Sequence, residues 1–158
     1  RDLHLSIRRQ RQMCIRDSVK GDGIFSILQL LKDEGFDFLA DLTAVDNMNL
    51  GGFERFALVY HLLSHKLLMR VTVKAYINEK TPILPSVESL WKTADWQERE
   101  VYDLFGISFE NHPDLTRIMN PEDFDGYPLR KDYPRKGRTE RIDFPQVMRG
   151  IKKENKTE

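Results

Sequence analysis

The chain has 158 residues, 40% of them hydrophobic and 32% charged, and its 25 basic residues balance 25 acidic ones. That length suits one domain able to bury a core without cross-links, and a single cysteine, Cys14, excludes a disulfide framework or a cysteine-built zinc or iron–sulfur site within the chain. The lone cysteine makes a reducing compartment the simplest expectation, and no apolar run reaches the ~18–20 residues needed to cross a bilayer, so membrane contact is expected only through a partner or a surface.

Residues 1–18, "RDLHLSIRRQRQMCIRDS", lack an initiator Met, a helical or strand period and the apolar core of a signal peptide. The string "RQMCIRDS" resembles translated sequencing-adapter DNA, so this segment is expected to be non-native, and Cys14 and His4 are set aside with it. The core domain is placed at 19–110, an extended arm at 111–136 and a flexible polar tail at 137–158.

In residues 23–35, Ile24, Ile27, Leu28 and Leu31 follow the i, i+3, i+4, i+7 spacing of an amphipathic helix, and Gly35 suits a left-handed stop. Residues 36–46 read as a strand, and "NMNLGG" as a loop. Residues 53–63 are apolar on both alternations, which predicts a central strand covered on both faces. Residues 66–77 alternate cleanly, with Val71, Val73, Ala75 and Ile77 on one side. The short 64–66 link makes these two strands an antiparallel hairpin.

"TPILPS" carries two prolines and is expected to end the sheet region. Ser86 can cap a short helix to Trp91. A second helix follows, with Asp95 and Glu98 at capping-box spacing and a stop at Gly106. Trp96, Val101, Leu104 and Phe105 are its expected buried face. Beyond Ile107 the sequence is rich in Pro, Gly, Asn and Asp, which predicts an irregular arm. Together these elements predict an α+β fold in two layers: helices packed on a mostly antiparallel sheet, with a long irregular C-terminal arm. There is no internal repeat and no Gly-rich phosphate loop after a strand.

"DWQEREVYDLFGI", residues 95–107, concentrates the charge. Glu98 and Glu100 point about 200° apart on a helix, so they cannot converge on one substrate atom. Arg99 and Asp103 have the spacing of an i, i+4 ion pair. His and Cys are absent from this helix, and His112, before Pro113, reads as a turn residue bonded to backbone. The favoured reading is structural: an arm without regular structure needs partners for its backbone N–H groups, and fixed side chains on an adjacent helix can supply them. No catalytic, cofactor-binding or metal-ligating residue is assigned.

Charge is polarised along the chain, acidic over residues 81–129 and basic from Arg130 onward, which suits docking against charged protein surfaces. A nucleic-acid-binding tail is the competing use of "YPLRKDYPRKGR", but the acidic stretch before it would repel phosphates.

"ADWQEREVYDLFGISFENHPDLTRIM" followed by "GYPLRKDYP" resembles the thirty-kilodalton subunit family of respiratory complex I, the C-type subunit of bacterial NADH-quinone oxidoreductase. The matching positions are Glu98, Arg99, Glu100, Tyr102, Asp103, Gly106, Ile107, His112, Pro113, Leu115, Arg117, Ile118, Gly126, Pro128, Leu129, Arg130, Lys131 and Asp132. Asn111 stands where Gly is usual and Tyr127 where His is common. Members carry an extra helix and strand before Ile24, so a sheet edge is expected to stand open here.

The resemblance implies a non-redox scaffold subunit of the peripheral arm, on the cytoplasmic side of the bacterial inner membrane or the matrix side in mitochondria. Its partners would be the forty-nine-kilodalton (D-type) and B-type subunits. The complex as a whole would use FMN and Fe–S clusters to pass electrons from NADH to quinone, with no cofactor in this chain and no nucleic acid. Arg130 and Lys131 would meet the partner's acids, with Tyr127 and Tyr133 as anchors. The equivalent subunit of a membrane-bound hydrogenase, a formate hydrogenlyase or a plastid or cyanobacterial complex is the alternative.

Overall fold

The computed structural model describes residues 18–20, 23–49 and 54–134. The elements in chain order are β1 (Ser18–Lys20), α1 (Ile24–Asp33), β2 (Phe38–Asp46), β3 (Phe56–Ser64), β4 (Met69–Ile77), β5 (Ile83–Pro85), α2 (Ala94–Phe105) and β6 (Ser108–Glu110). Four strands form one sheet in the order β1-β4-β3-β2, antiparallel except for the β1–β4 pair. The α+β, mostly antiparallel architecture read from the sequence is the one observed. The expected non-native segment and polar tail lie outside the described residues, apart from Ser18 at the start of β1 and the arm as far as Pro134.

The period-2 pattern decides which way the sheet faces. In register, Phe56 opposes Ile77, Leu58 opposes Ala75, Tyr60 opposes Val73 and Leu62 opposes Val71. All eight belong to the buried core, which they share with Ile24 and Leu28 of α1 and Val101 and Phe105 of α2. Both helices thus pack on one face of the sheet, as two layers. The other face of β3 is buried at Ala57 and Val59 but opens at His61, so the predicted two-sided burial holds only for its first half.

Several local expectations need correction. Ser18, assigned from the sequence to the excluded segment, begins β1, and Ser18–Lys20 runs alongside Lys74–Tyr76. The edge of β4 expected to stand open is therefore covered at three positions. Leu67 and Leu68 belong to the exposed β3–β4 turn, where Leu68 takes φ 53°, rather than to β4. Residues 83–85 do not end the sheet region. They pair in parallel with Ser108–Glu110 in a second, two-stranded sheet. The prolines are tolerated because such a sheet is all edge, and Pro82 serves it as an acceptor, taking the Ser108 N–H at 2.9 Å.

Ser86 caps no helix. Its Oγ accepts the Glu88 N–H, and the chain through Trp91 makes a single turn closed by Trp91 N–H to Val87 C=O. The capping box at Asp95 is absent too: α2 starts after Thr93 without a side-chain cap. Trp96 is 62% exposed, because the buried stripe of α2 runs through Ala94, Glu98, Val101 and Phe105.

Candidate functional site

α2 places Glu98 on its core-facing stripe, where an apolar residue would be expected. The side chain is fully buried. Its Oε1 accepts the Val87 N–H at 2.7 Å and its Oε2 accepts the Ser86 hydroxyl at 2.6 Å. The carboxylate thus ties α2 to the loop leaving β5. Burial pushes its pKa up to about 7, against the lowering effect of Ser86 and Val87; the nearby Glu88 and Asp95 carboxylates add to the rise.

The buried His112 ring extends this cluster. Its Nε2 stands 3.3 Å from Asp95 Oδ1 and 3.8 Å from Glu98 Oε2, and also 3.3 Å from the Asp95 carbonyl. Nδ1 accepts the Asp114 N–H at 3.1 Å. The start of the arm is thereby fixed to the first turn of α2.

Arg99 and Asp103 do not pair with each other. The Arg99 guanidinium donates to the Thr116 carbonyl at 3.2 Å and to its hydroxyl at 2.8 Å, and lies 5.0 Å over the Trp96 ring. Asp103, fully buried, accepts the backbone N–H groups of Ile118, Met119 and Asn120 on Oδ2, at 3.2, 2.7 and 2.8 Å. Its Oδ1 takes Asn120 Nδ2 at 3.0 Å and Arg117 Nη1 at 3.2 Å. Burial alone would raise its pKa. The Asn120 backbone and side-chain donors, with the Met119 and Ile118 N–H groups, outweigh it and hold the group below the usual carboxylate value.

Gly106 ends α2 with φ 70°, and a Cβ there would stand 2.5 Å from the Tyr127 ring and 2.6 Å from Arg130 Nη2. Only glycine allows both the left-handed stop and the close return of the arm. Arg130 donates to the Phe105 carbonyl at 2.5 Å and the Gly106 carbonyl at 3.3 Å, and its guanidinium stacks on Tyr127 (4.5 Å) and Phe56 (5.2 Å). The orphan carbonyls at the helix C-terminus are thus capped by an arginine 24 and 25 residues downstream. Arg117 lies over the Tyr127 ring at 5.5 Å and donates to the Gly126 carbonyl at 3.4 Å. Tyr133 packs near Phe124, with ring centroids 6.1 Å apart. Arg130, Tyr127 and Tyr133, expected to face a partner, make these contacts within the chain, and Lys131 is exposed.

Two residues that the sequence reading did not single out complete the arrangement. Asp46, buried at the end of β2, accepts the Lys131 N–H at 2.9 Å and the Met48 N–H at 3.0 Å. Arg55 bridges Asp46 at 3.1 Å to Asp132 at 2.8 Å and also pairs with Glu79. Burial would raise the Asp46 pKa, but the Arg55, Lys131 and Met48 donors outweigh it and lower the value. An acid ending a strand and an arginine nine residues later give no sequence signal, because the pairing depends on the loop between them closing.

The remaining motif positions divide by burial. Leu115 packs against the core, Tyr102 and Pro128 are half-buried, and Glu100, Pro113 and Leu129 are exposed. Leu129 donates its N–H to the Leu104 carbonyl at 3.1 Å. A cavity of about 930 Å³ lies between α1, the end of β4 and the small sheet, lined by Phe25, Tyr76, Ile83 and Glu110 among others, and no motif residue faces it. Among the described residues, no three His, Cys, Asp or Glu side chains are grouped to hold a metal ion, and no helix is long and apolar enough to cross a membrane. The arrangement ties residues 111–134 to α2 and to the mouth of the β2–β3 hairpin.

Residues 18–139 match the family described as respiratory-chain NADH dehydrogenase, 30 Kd subunit. The chain belongs to this family. The C-type subunit of NADH-quinone oxidoreductase from Citrifermentans bemidjiense is 48% identical over 121 residues, covering 76% of this chain and 74% of that one. The corresponding protein of Moorella thermoacetica is 47% identical over 116 residues, 73% of this chain and 76% of the relative. Among solved structures, a trypsin-resistant fragment of Nqo5 is 41% identical with a TM-score of 0.59, covering 62% of this chain and 80% of the fragment. A chain of an archaeal membrane-bound sulfane sulfur reductase superposes with a TM-score of 0.65 over 85% of this chain and 87% of its own, at 24% identity, which establishes a shared fold. The clasped arm of this family member coincides with the segment richest in motif residues.

Proposed function

We propose that this chain is a non-redox scaffold subunit in the peripheral arm of NADH:quinone oxidoreductase. It binds the D-type subunit, lies near the B-type subunit, holds no cofactor of its own and makes no contact with nucleic acid. It reaches the membrane only through the assembled complex, on the cytoplasmic face. The FMN and Fe–S chemistry belongs to other subunits. The observation that carries this reading is Asp103. A carboxylate saturated by three backbone N–H groups, an amide and a guanidinium has its acceptor positions filled by structure, which supports a holding role. The 48% identity to a named NADH-quinone oxidoreductase subunit favours this complex over a hydrogenase-type relative.

Co-expression of the full chain with the D-type subunit encoded beside it tests the proposal. A stoichiometric complex surviving gel filtration is expected. Separate elution of two folded proteins would refute it.

A further inference from the structure

Once the motif charges are accounted for, a surface is left over. Trp96 is 62% exposed on α2, although tryptophan is seldom left in water. Met119 is 64% exposed and Leu129 49% exposed. All three lie on α2 or on chain tied directly to it. Arg99 joins Trp96 to Thr116, Asp103 fixes the Met119 N–H against the same helix, and Leu129 is bonded to Leu104 at its end.

The same helix and the segment 114–129 carry Glu100, Asp114, Glu122, Asp123 and Asp125, all exposed and none in an ion pair among the described residues. The cations of this region are already engaged: Arg99 with Thr116, Arg117 with Asp103 and Arg130 with the end of α2. The exposed charged residues of α2 and 114–129 are thus all acidic, and they accompany three exposed large apolar side chains.

We infer that this face, formed by α2 and residues 114–129, is the docking surface, and that it takes a basic protein surface bearing an apolar projection, in the manner of an aromatic hot spot inside a charged rim. The inference rests on the docking reading above and reverses the charge expected from Arg130 and Lys131: the partner supplies the cations. The surface is already in place, because its backbone is held by Asp103, Arg99 and His112, so little ordering is needed on association.

The test uses the full chain co-expressed with the D-type subunit, in three forms: wild type, Trp96→Ala, and the triple variant Glu122→Lys, Asp123→Lys, Asp125→Lys. Each variant is expected to lower the captured subunit by roughly tenfold or more, and the wild-type complex to weaken as salt rises. The free triple variant should melt like wild type, since its three positions are exposed and outside any ion pair among the described residues, and free Trp96→Ala only slightly below it, having lost its contact with Arg99. Undiminished capture by both variants, beside a wild-type complex that forms, overturns the face alone. No wild-type complex overturns the docking reading and this inference with it. Iodide quenching of the free chain, compared with Trp96→Phe, separates other occupants. Trp96 should be accessible in the free chain and shielded in the complex. Shielding in the free monomer would assign the face to the chain's own basic tail, and shielding in a self-associated form to a second copy; either result overturns the inference.

Discussion

A buried carboxylate survives in a fold only when the hydrogen bonds it lost to water are replaced. Asp103 and Glu98 solve this differently. Asp103 is met by five donors and stays charged. Replacing it by Ala leaves three arm N–H groups and Arg117 without their acceptor, at a cost of about 3 kcal/mol or more. Hydrogen exchange should show amides 118–120 losing protection while the strand amides of β3 keep theirs. Glu98 has only two donors, and its folded pKa of about 7 lies above the ordinary 4.5. Between these values the folded chain holds a proton that the unfolded chain has released, so this group's contribution falls as pH rises from about 4.5 to about 7. Asp46 and Asp103 act oppositely: with lowered pKa values, their contribution is present above pH 3.8 and is lost as pH falls through their folded values. Glu98→Gln keeps an acceptor for Val87 and a partner for Ser86. Its stability relative to wild type should therefore rise between about pH 5 and about pH 8, by on the order of 2 kcal/mol in denaturant titrations. The sequence put Arg99 opposite Asp103 because helix spacing is all a sequence displays. The true partners lie 14 to 17 residues downstream in a segment with no period, so nothing local announced them.

At the scale of elements, the strands were readable because one face is buried and the period-2 pattern records it; Val71, Val73, Ala75 and Ile77 are all in the core. β5 and β6 were not readable, since three residues cannot establish a period and prolines argue against a ladder. α2 misled in a specific way. Its buried stripe passes through Glu98, so a rule placing apolar residues inside assigns Trp96 to the core and the acid to the surface, the reverse of what is found. The cap of α2 comes from the arm. Arg130→Ala should remove two charge-assisted bonds to helix-terminal carbonyls and two aromatic contacts, lowering stability of the isolated chain by about 2 kcal/mol or more. Lys131→Ala, one residue on, should change it by less than about 0.5 kcal/mol, because that side chain is exposed. Equal melting curves for the two variants would contradict this assignment.

For the molecule as a whole, the arm is part of the folded domain. It has no regular structure of its own, yet it is secured at His112, Thr116, residues 118–120, Arg130 and Lys131 to groups on α2 and on the β2–β3 mouth. The boundary drawn from the sequence at residue 110 marks a change in chemistry rather than a break in the structure. Family membership was legible from the motif, and six of its side chains, those of Glu98, Arg99, Asp103, His112, Arg117 and Arg130, make clasping contacts. The direction in which the arm's charges face was not legible, because whether Arg130 points inward or outward depends on where the arm lies.

The proposal that the charges of α2 hold structure rather than perform chemistry is tested most directly by NADH:quinone turnover of the assembled complex carrying Glu98→Gln. That substitution removes the proton-exchanging group while leaving hydrogen-bond partners for Ser86 and Val87. Turnover per assembled complex within about twofold of wild type is predicted. A fully assembled complex slowed by about 100-fold, the scale of a lost general acid or base, would contradict the account.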